Sequence, residues 1–444
     1  MKSVPQRTQR NDFIEDACRA PIEYVCIREG ELMLFRLFSI PVFIFFLFSA
    51  PAASPLSYDD AVHLLERTGF GAPPREIAAL VPFTRAGAVD FLLSGLRNDP
   101  PVPLPQWSIP PFVKPPGDKT HPADATAKKA YDQMIQDHVQ ELRSWFITGL
   151  ITSPSPLTEK MVLFWHNHFT SSLEKTNAPD LLLRQDLLLR KLGTGRFGDL
   201  VHAISRDPAM VLYLDGNTNM KGKPNENYAR ELLELFTMGE GSYTEQDVKE
   251  AARGFTGLTV DRYAGTTIFD PRRHDDGQKT FLGKTGNFDA DAIIDIILAQ
   301  DRPAVLVTEK LWRTFISLQP DPALVQSWAA SFRSSGDDIT ALLRLIFTSD
   351  AFWAPANRDA LIKSPAELLI GFIRTWGITG YDPKRLTYQL ARLGQDLFNP
   401  LSVKGWPWGR DWIDTATLLE RRRDIADLAN TLRIQSQLAS ANLE

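Results

Sequence analysis

The spacing of apolar residues beyond residue 54 limits what this chain can fold into more than any other feature. Apolar side chains recur with a helical period in Tyr58–Arg67, and Gly69 then ends that segment. The same period returns over residues 126–150 and again from residue 290 to the end. This pattern predicts a mainly α fold, a large multi-helix single domain.

Strand signals are sparse by comparison. Two short segments rich in β-formers, Thr266–Asp270 and Lys279–Leu282, flank the turn-forming run Asp275-Asp276-Gly277. They predict one small β-hairpin near residues 266–283. Prolines are dense over residues 98–117, and prolines at that density predict a long loop there.

A short apolar run near the N-terminus predicts export. Leu37–Phe48 is too short to cross a bilayer as a helix, which needs about 20 residues. Arg36 precedes it and the small residues of Ala50–Ala53 follow it, as in a secretory signal peptide. A buried core helix and an uncleaved membrane anchor are the alternatives. We predict a signal peptide over residues 33–53, a periplasmic or extracellular location, and no membrane association after cleavage.

Translation from Met33 would give this signal an ordinary length. Residues 1–32 would then be a mis-assigned upstream extension or a separate tail, and residues 54–444 the helical domain. Cys18 and Cys26 both precede Met33, so the mature chain would hold no disulfide. The net charge is -5 and the basic residues are scattered, a distribution that argues against a nucleic-acid partner.

The first segment with potential chemistry is Ser155–Phe169. Ser155 and Pro156 form a good helix start. His166 and His168 suggest a metal site, but residues i and i+2 of a helix point about 200° apart. Each histidine therefore remains a candidate as a single ligand, a binding residue or a hydrogen-bonding group of the core.

The second segment, Lys221–Gly239, predicts a helix that follows Asn225. Asn227 and Glu231 share one polar stripe, and Arg230 can pair with a glutamate one turn away. The stripe is either a solvated face or the lining of a cleft. In a cleft, Glu231 could act as a general base or an oxygen ligand.

The third segment is Asp270–Gly277, at the tip of the predicted hairpin. His274 and Asp275 could form an imidazole–carboxylate pair and are candidates for catalysis. The alternative is that these residues only form a turn.

Several spaced motifs resemble the bacterial "domain of unknown function 1800" family, over roughly residues 57–430. The resemblance rests on Lys160–Phe169, Lys221–Leu235, Tyr243-Thr244, Ala252-Arg253, His274-Asp275, Lys363-Ser364-Pro365, Leu393-Gly394-Gln395 and Gly405-Trp406-Pro407. The family has no established reaction. Its members resemble exported proteins and are often encoded beside sulfatase-like proteins, which implies a partner of that kind. One departure is Phe236, where many relatives have histidine.

The resemblance leaves two classes of function open. In the first, the protein is a binding or assembly factor that works with a sulfatase-like partner, and Trp406 belongs to a binding surface. The alternative for Trp406 is a place in the core, where clustered aromatic residues are more often found. In the second, it is an extracytoplasmic hydrolase, and a bound metal ion could assist it. For either class we hypothesise that the polar motif residues converge on one cleft: His166, His168, Asn225, Asn227, Arg230, Glu231, His274 and Asp275. His166, His168, Glu231 and His274 are the candidate metal ligands. A buried hydrogen-bond network that fixes helix packing is the alternative.

Overall fold

The computed structural model describes residues 54–110, 112–117 and 124–441, which all belong to one unit. The predicted extension over residues 1–32 and the signal peptide over residues 33–53 lie outside these ranges. The prediction of a mainly α fold is confirmed, because the described residues form twenty α-helices and two small sheets.

The helices follow one another through short connections. The first ten are α1 (Tyr58–Thr68), α2 (Pro74–Leu80), α3 (Arg85–Ser94), α4 (Ala125–Thr152), α5 (Pro156–His168), α6 (Leu173–Thr176), α7 (Pro179–Leu192), α8 (Phe197–Ser205), α9 (Pro208–Tyr213) and α10 (Asn227–Glu231). The remaining ten are α11 (Glu245–Gly254), α12 (Ala290–Leu298), α13 (Arg302–Phe315), α14 (Pro322–Ser334), α15 (Ile339–Thr348), α16 (Asp350–Trp353), α17 (Pro355–Arg358), α18 (Pro365–Trp376), α19 (Pro383–Arg392) and α20 (Thr415–Ala441).

Helix α5 lies between two hydrophobic cores. Met161 and Trp165 pack into the larger core with α1–α3, α8 and α11–α16. Val162 and Leu163 pack into the second core with α4, α7 and α18–α20. Eleven of the thirteen α5 residues are buried, as expected of a helix enclosed on all sides. Its polar side chains must therefore find partners inside the protein.

The prediction of a single hairpin is wrong in its pairing. Strand β1 (Leu258–Asp261) pairs with β2 (Thr266–Phe269), and β3 (Lys279–Phe281) pairs with β4 (Lys284–Gly286), both antiparallel. The β3–β4 turn places Leu282 at φ 45° and Gly283 at φ 75°, the left-handed pair that a two-residue hairpin loop requires. Leucine seldom adopts this conformation, so the sequence gives little sign of the turn.

Two further segments bear on the predictions. The proline-rich stretch contains a single 3₁₀ turn among its described residues, Gln106–Ser108. Trp107 stacks on His138 of α4 at a ring-centroid distance of 4.6 Å, and its indole N–H donates to Glu141. Among the described helices none alone is long and apolar enough to cross a bilayer, although the bent pair α2–α3 would be by length and composition only.

Candidate functional site

One face of α5 lines a cavity of about 320 Å³. Lys160, Leu163, Phe164 and Asn167 contribute to its wall, and they stand at the i, i+3, i+4 and i+7 positions of one helix face. Pockets that bind small molecules have volumes of about 300–1,000 Å³. The cavity is therefore large enough for a small ligand.

The other walls come from segments far apart in the chain. They belong to the end of α1, the end of α13, the segment that leads into α18, and the loop between α19 and α20. These lining residues are Glu66, Arg67, Arg313, Thr314, Leu318, Arg358, Asp359, Leu361, Ile362, Lys363, Ser364, Glu367, Gln395, Trp406, Pro407, Trp408, Gly409 and Trp412. The wall thus combines three tryptophans with several charged groups.

An ion pair between Lys160 and Glu367 joins α5 to α18 at this wall. Glu367 also completes a capping box with Ser364, whose backbone N–H donates to Oε2 at 2.6 Å. Burial raises the pKa of Glu367, but the charge and hydrogen bond of Lys160 outweigh it, so that the pKa is lowered. This carboxylate is therefore ionised at neutral pH and engaged in structural contacts.

The loop between α19 and α20 docks directly on Asn167. The backbone N–H of Trp406 donates to Asn167 Oδ1 at 2.5 Å. Gly405 has φ 87°, and a Cβ at this position would come within 2.6 Å of the Asn167 carbonyl oxygen. Only glycine fits such a close approach in the left-handed region. The tryptophan wall thus depends on this contact.

Arg67 faces the same cavity from the end of α1. Only 9% of its surface is exposed, and its Nη2 donates to the carbonyl oxygens of Asn357 at 2.6 Å and Arg358 at 2.8 Å. Burial lowers the pKa of Arg67, although Glu367 and other nearby carboxylates oppose the change. The guanidinium is thus held in place by neutral groups.

The two histidines of α5 point away from each other and toward different partners. His166 donates from Nε2 to Asp186 Oδ1 at 3.0 Å. That carboxylate lies 3.6 Å from Arg190, which also makes a bidentate pair with Glu159 at 2.8 and 2.9 Å. His166 therefore belongs to a buried charged network between α5 and α7.

His168 instead caps the end of a helix. A π-helical turn, Leu232–Thr237, continues α10, and His168 donates from Nε2 to the Phe236 carbonyl oxygen at 3.0 Å. Its Nδ1 then accepts from Lys310 at 3.0 Å, and Lys310 also donates to the Leu235 carbonyl oxygen at 2.7 Å. Burial, with the charge of Lys310, lowers the pKa of His168 well below its usual value. Burial and the charge of Arg313 lower the pKa of Lys310 to about 7.

The candidates around α10 lie on a half-buried surface outside the cavity. Asn225, two residues before the start of α10, accepts at Oδ1 from the Asn227 N–H at 3.0 Å. Arg230 binds Glu245 through two nitrogens, both at 2.8 Å. Burial, and to a smaller extent the charge of Glu234, raise the pKa of Glu231. These contacts fit a local surface network.

His274 and Asp275 take separate partners instead of pairing. His274 Nδ1 donates to the Thr256 carbonyl oxygen at 2.9 Å. Asp275 binds Arg253 at 2.8 Å, and that hydrogen bond lowers the pKa of Asp275 to about 2. Asp275 Oδ1 also accepts from the Gly277 N–H at 2.9 Å. The two residues fasten the segment between the two sheets to α11.

These contacts do not bring the candidate residues together in one shared cleft. Of the sequence-predicted residues, Trp406 lines the cavity, and the histidines occupy separate surroundings. The alternative, a buried hydrogen-bond network, describes His166 and His168. Within the described part of the chain, no three His, Cys, Asp or Glu side chains are grouped so that they could hold a metal ion.

Comparison with known protein families shows the family of the chain. Residues 63–443 match the family model described as "Protein of unknown function (DUF1800)". The chain belongs to this family. No curated protein and no solved structure matches the sequence. The DUF1800 match covers the segments that build the cavity.

The cavity also gathers several of the motifs that resemble DUF1800. Lys160 and Asn167 come from the first motif, and Lys363, Gln395 and Trp406 come from three later ones. The search of the sequence for catalytic residue types favoured histidines and carboxylates and missed four of these five. The helical spacing of positions 160, 163, 164 and 167 on one face of α5 was the sequence signal that could have indicated the cavity.

Proposed function

We propose that this DUF1800 protein is an exported, non-catalytic binding protein and that the cavity beside α5 is its ligand site. The observation that carries the proposal is the wall itself. Trp406, Trp408 and Trp412 meet polar side chains around an open volume of about 320 Å³. A concave, partly aromatic pocket with a few convergent polar groups is the usual form of a small-molecule site.

The charged groups of the wall favour binding over hydrolysis. Glu367 is engaged by Lys160 and Ser364, and Glu66 accepts from Lys363 at 2.9 Å. A general base needs a carboxylate or imidazole that is free to take a proton from the reacting group. Neither of these glutamates is free in that sense. The third carboxylate of the wall, Asp359, is exposed to solvent and makes no ion pair within the described residues.

Export and a partner complete the proposal. The apolar run Leu37–Phe48 and the small residues after it support secretion to the periplasm or the cell exterior. The family resemblance supports a sulfatase-like exported partner, for which the bound ligand would serve as cargo or as an assembly signal.

A substitution that fills the cavity tests the proposed function. Leu361 lines the cavity and is half-buried on a loop, so Leu361→Trp should occupy the volume without disturbing a helix. Leu401→Trp is the matched control, because Leu401 is 82% exposed and lies outside the lining. The probes are two fluorescent dyes with the same rings, neutral N-phenyl-1-naphthylamine and anionic 1-anilinonaphthalene-8-sulfonate.

Fluorescence titration of the full chain should show saturable binding of at least one dye. We expect Leu361→Trp to weaken that binding by about tenfold or more, which corresponds to a loss of about 1.4 kcal/mol. Leu401→Trp should leave it unchanged. The proposed function is refuted if the two variants bind both dyes as the wild-type chain does.

A further inference from the structure

Several side chains around the cavity have unused hydrogen-bond donors. Asn167 Oδ1 accepts from the Trp406 backbone N–H, and Gln395 Oε1 accepts from the Ala366 backbone N–H at 2.8 Å. A backbone N–H can only donate, so these bonds fix which end of each amide is the oxygen. The NH₂ group of each amide has no partner among the described residues.

The residues that carry these unused donors line the cavity, where a ligand could pair with them. Gln395 is 2% exposed and lines the cavity with its NH₂ group unpaired. The indole nitrogen of Trp406, another lining residue, is buried without a hydrogen-bond partner among the described residues, and such a group loses the solvation that it had in the unfolded chain. Within the described residues the indole N–H groups of Trp408 and Trp412 also lack acceptors, and an indole can only donate.

Arg67 adds a positive charge to this set of donors. Its Nη2 is used by two carbonyl oxygens, but its Nε and Nη1 have no acceptor in the described part of the chain. The nearby Glu367 is paired with Lys160, and Glu66 with Lys363. Arg67 is therefore a buried cation whose charge is not matched by a carboxylate in contact.

One carboxylate of the wall opposes this positive charge. Asp359 lines the cavity, is exposed, and attracts Arg67 without forming an ion pair with it. Exposed charges interact weakly because water and salt screen them. Asp359 therefore reduces the attraction for an anion but leaves the donors of Arg67, Asn167 and Gln395 unpaired.

We infer that the ligand is an organic oxyanion, a carboxylate or a phosphate or sulfate ester, whose oxygens accept from Arg67, Asn167 and Gln395. This inference rests on the proposed function and names the chemical class of its ligand. Arginine offers a planar fork of N–H donors that matches the paired oxygens of such groups. The tryptophan side of the cavity would take the apolar or ring-bearing part of the molecule.

The two dyes of the cavity test also measure this preference, because they differ in the sulfonate group. The full chain should bind 1-anilinonaphthalene-8-sulfonate at least about tenfold more tightly than N-phenyl-1-naphthylamine. Competition by 1-naphthoate and by 1-naphthyl phosphate then shows whether the site prefers a carboxylate or a phosphate ester. Inference and proposed function fail separately, since Leu361→Trp should weaken dye binding whatever the charge preference.

Three variants assign the preference to the named donors. Gln395→Glu keeps the oxygen that accepts from Ala366 and replaces the NH₂ donor by an oxygen. It should reduce the preference for the anionic dye about tenfold or more. Arg67→Lys keeps the positive charge but loses the planar set of guanidinium donors. It should reduce the preference for the anionic dye less than Gln395→Glu does. Asp359→Asn removes an exposed negative charge and should increase the preference while the cooperative melting transition of the chain stays unchanged.

The outcomes are distinct. The inference is overturned if the wild-type chain binds both dyes equally, or if Asp359→Asn and Gln395→Glu leave the ratio of the two affinities unchanged. If Gln395→Glu loses its cooperative melting transition, Arg67→Lys and Asp359→Asn test the inference instead. Those two should then move the ratio in opposite directions.

Discussion

Replacing Arg190 by methionine tests how the buried network beside α5 contributes to stability. Arg190 is 2% exposed, and its guanidinium bonds both oxygens of Glu159 and lies 3.6 Å from Asp186. These carboxylates are 1% and 0% exposed. Arg190→Met would leave two buried acidic groups, with His166 bonded to Asp186 and the charge of Arg374 acting on Glu159.

The size of the effect follows from two independent estimates. Breaking a buried ion pair by removing one partner costs about 3–5 kcal/mol. Two hydrogen bonds to a charged group, at about 1.5–3 kcal/mol each, give about 3–6 kcal/mol. For a unit of about 390 residues the entropy of unfolding is about 0.8 kcal/mol/K. The melting temperature should therefore fall by about 4–7 °C.

Thermal melting followed by circular dichroism provides the assay, with Arg344→Met as the matched control. Arg344 pairs with Asp90 at 2.7 Å, but the two side chains are 52% and 51% exposed. Exposed pairs contribute about 0–1 kcal/mol, so this variant should melt within about 1 °C of the wild-type chain. Equal shifts for Arg190→Met and Arg344→Met would show that burial does not decide the contribution. The double variant Glu159→Met/Arg190→Met should recover part of the loss, because an apolar pair leaves one buried charge fewer.

Two further predictions concern backbone conformation and pH. Gly405→Ala should lower the melting temperature more than Gly222→Ala. Both variants place a side chain in the left-handed region, which costs about 1–2 kcal/mol. The added methyl group at position 405 would also collide with Asn167, whereas nothing lies within 4 Å of the corresponding position at Gly222. Equal melting temperatures would contradict the close approach. The pKa of Lys310 is about 7 in the folded protein and about 10.4 in an unfolded chain, so between these values the unfolded chain binds more protons. Stability measured by denaturant unfolding should therefore rise with pH above 7; Lys310→Met should flatten that rise and the exposed Lys249→Met should not.

Local signals in the sequence predicted the helices well. Ser155 followed by Pro156 predicted the start of a helix, and α5 begins at Pro156. The proline is the part of this signal that acts here, because its fixed geometry suits the first helical position, whereas Ser155 makes no side-chain capping bond. The prediction of strand pairing failed because the β3–β4 turn has no typical turn sequence. Leu282 adopts the left-handed conformation, and its backbone N–H donates to Asp247, 35 residues earlier in the sequence.

The site was harder to predict than the fold for a physical reason. Its walls come from residues near 66, 160, 313, 363 and 406, which no local pattern connects. Histidines and carboxylates were the predicted site residues because they can transfer protons and bind metal ions. The amide groups of Asn167 and Gln395 became informative only when their oxygens were seen to be bonded to the backbone.

Helix α5 shows how similar polar side chains come to have different roles. Because the helix is enclosed on all sides, every polar group on it must be paired or face a cavity. His166 and Glu159 are paired with α7, and His168 with the end of the π-helical turn. Asn167 uses its oxygen for the tryptophan loop and keeps its NH₂ group unpaired at the cavity. The number of hydrogen bonds that remain to be made, rather than the chemical type of the side chain, therefore separates a candidate ligand contact from a structural one.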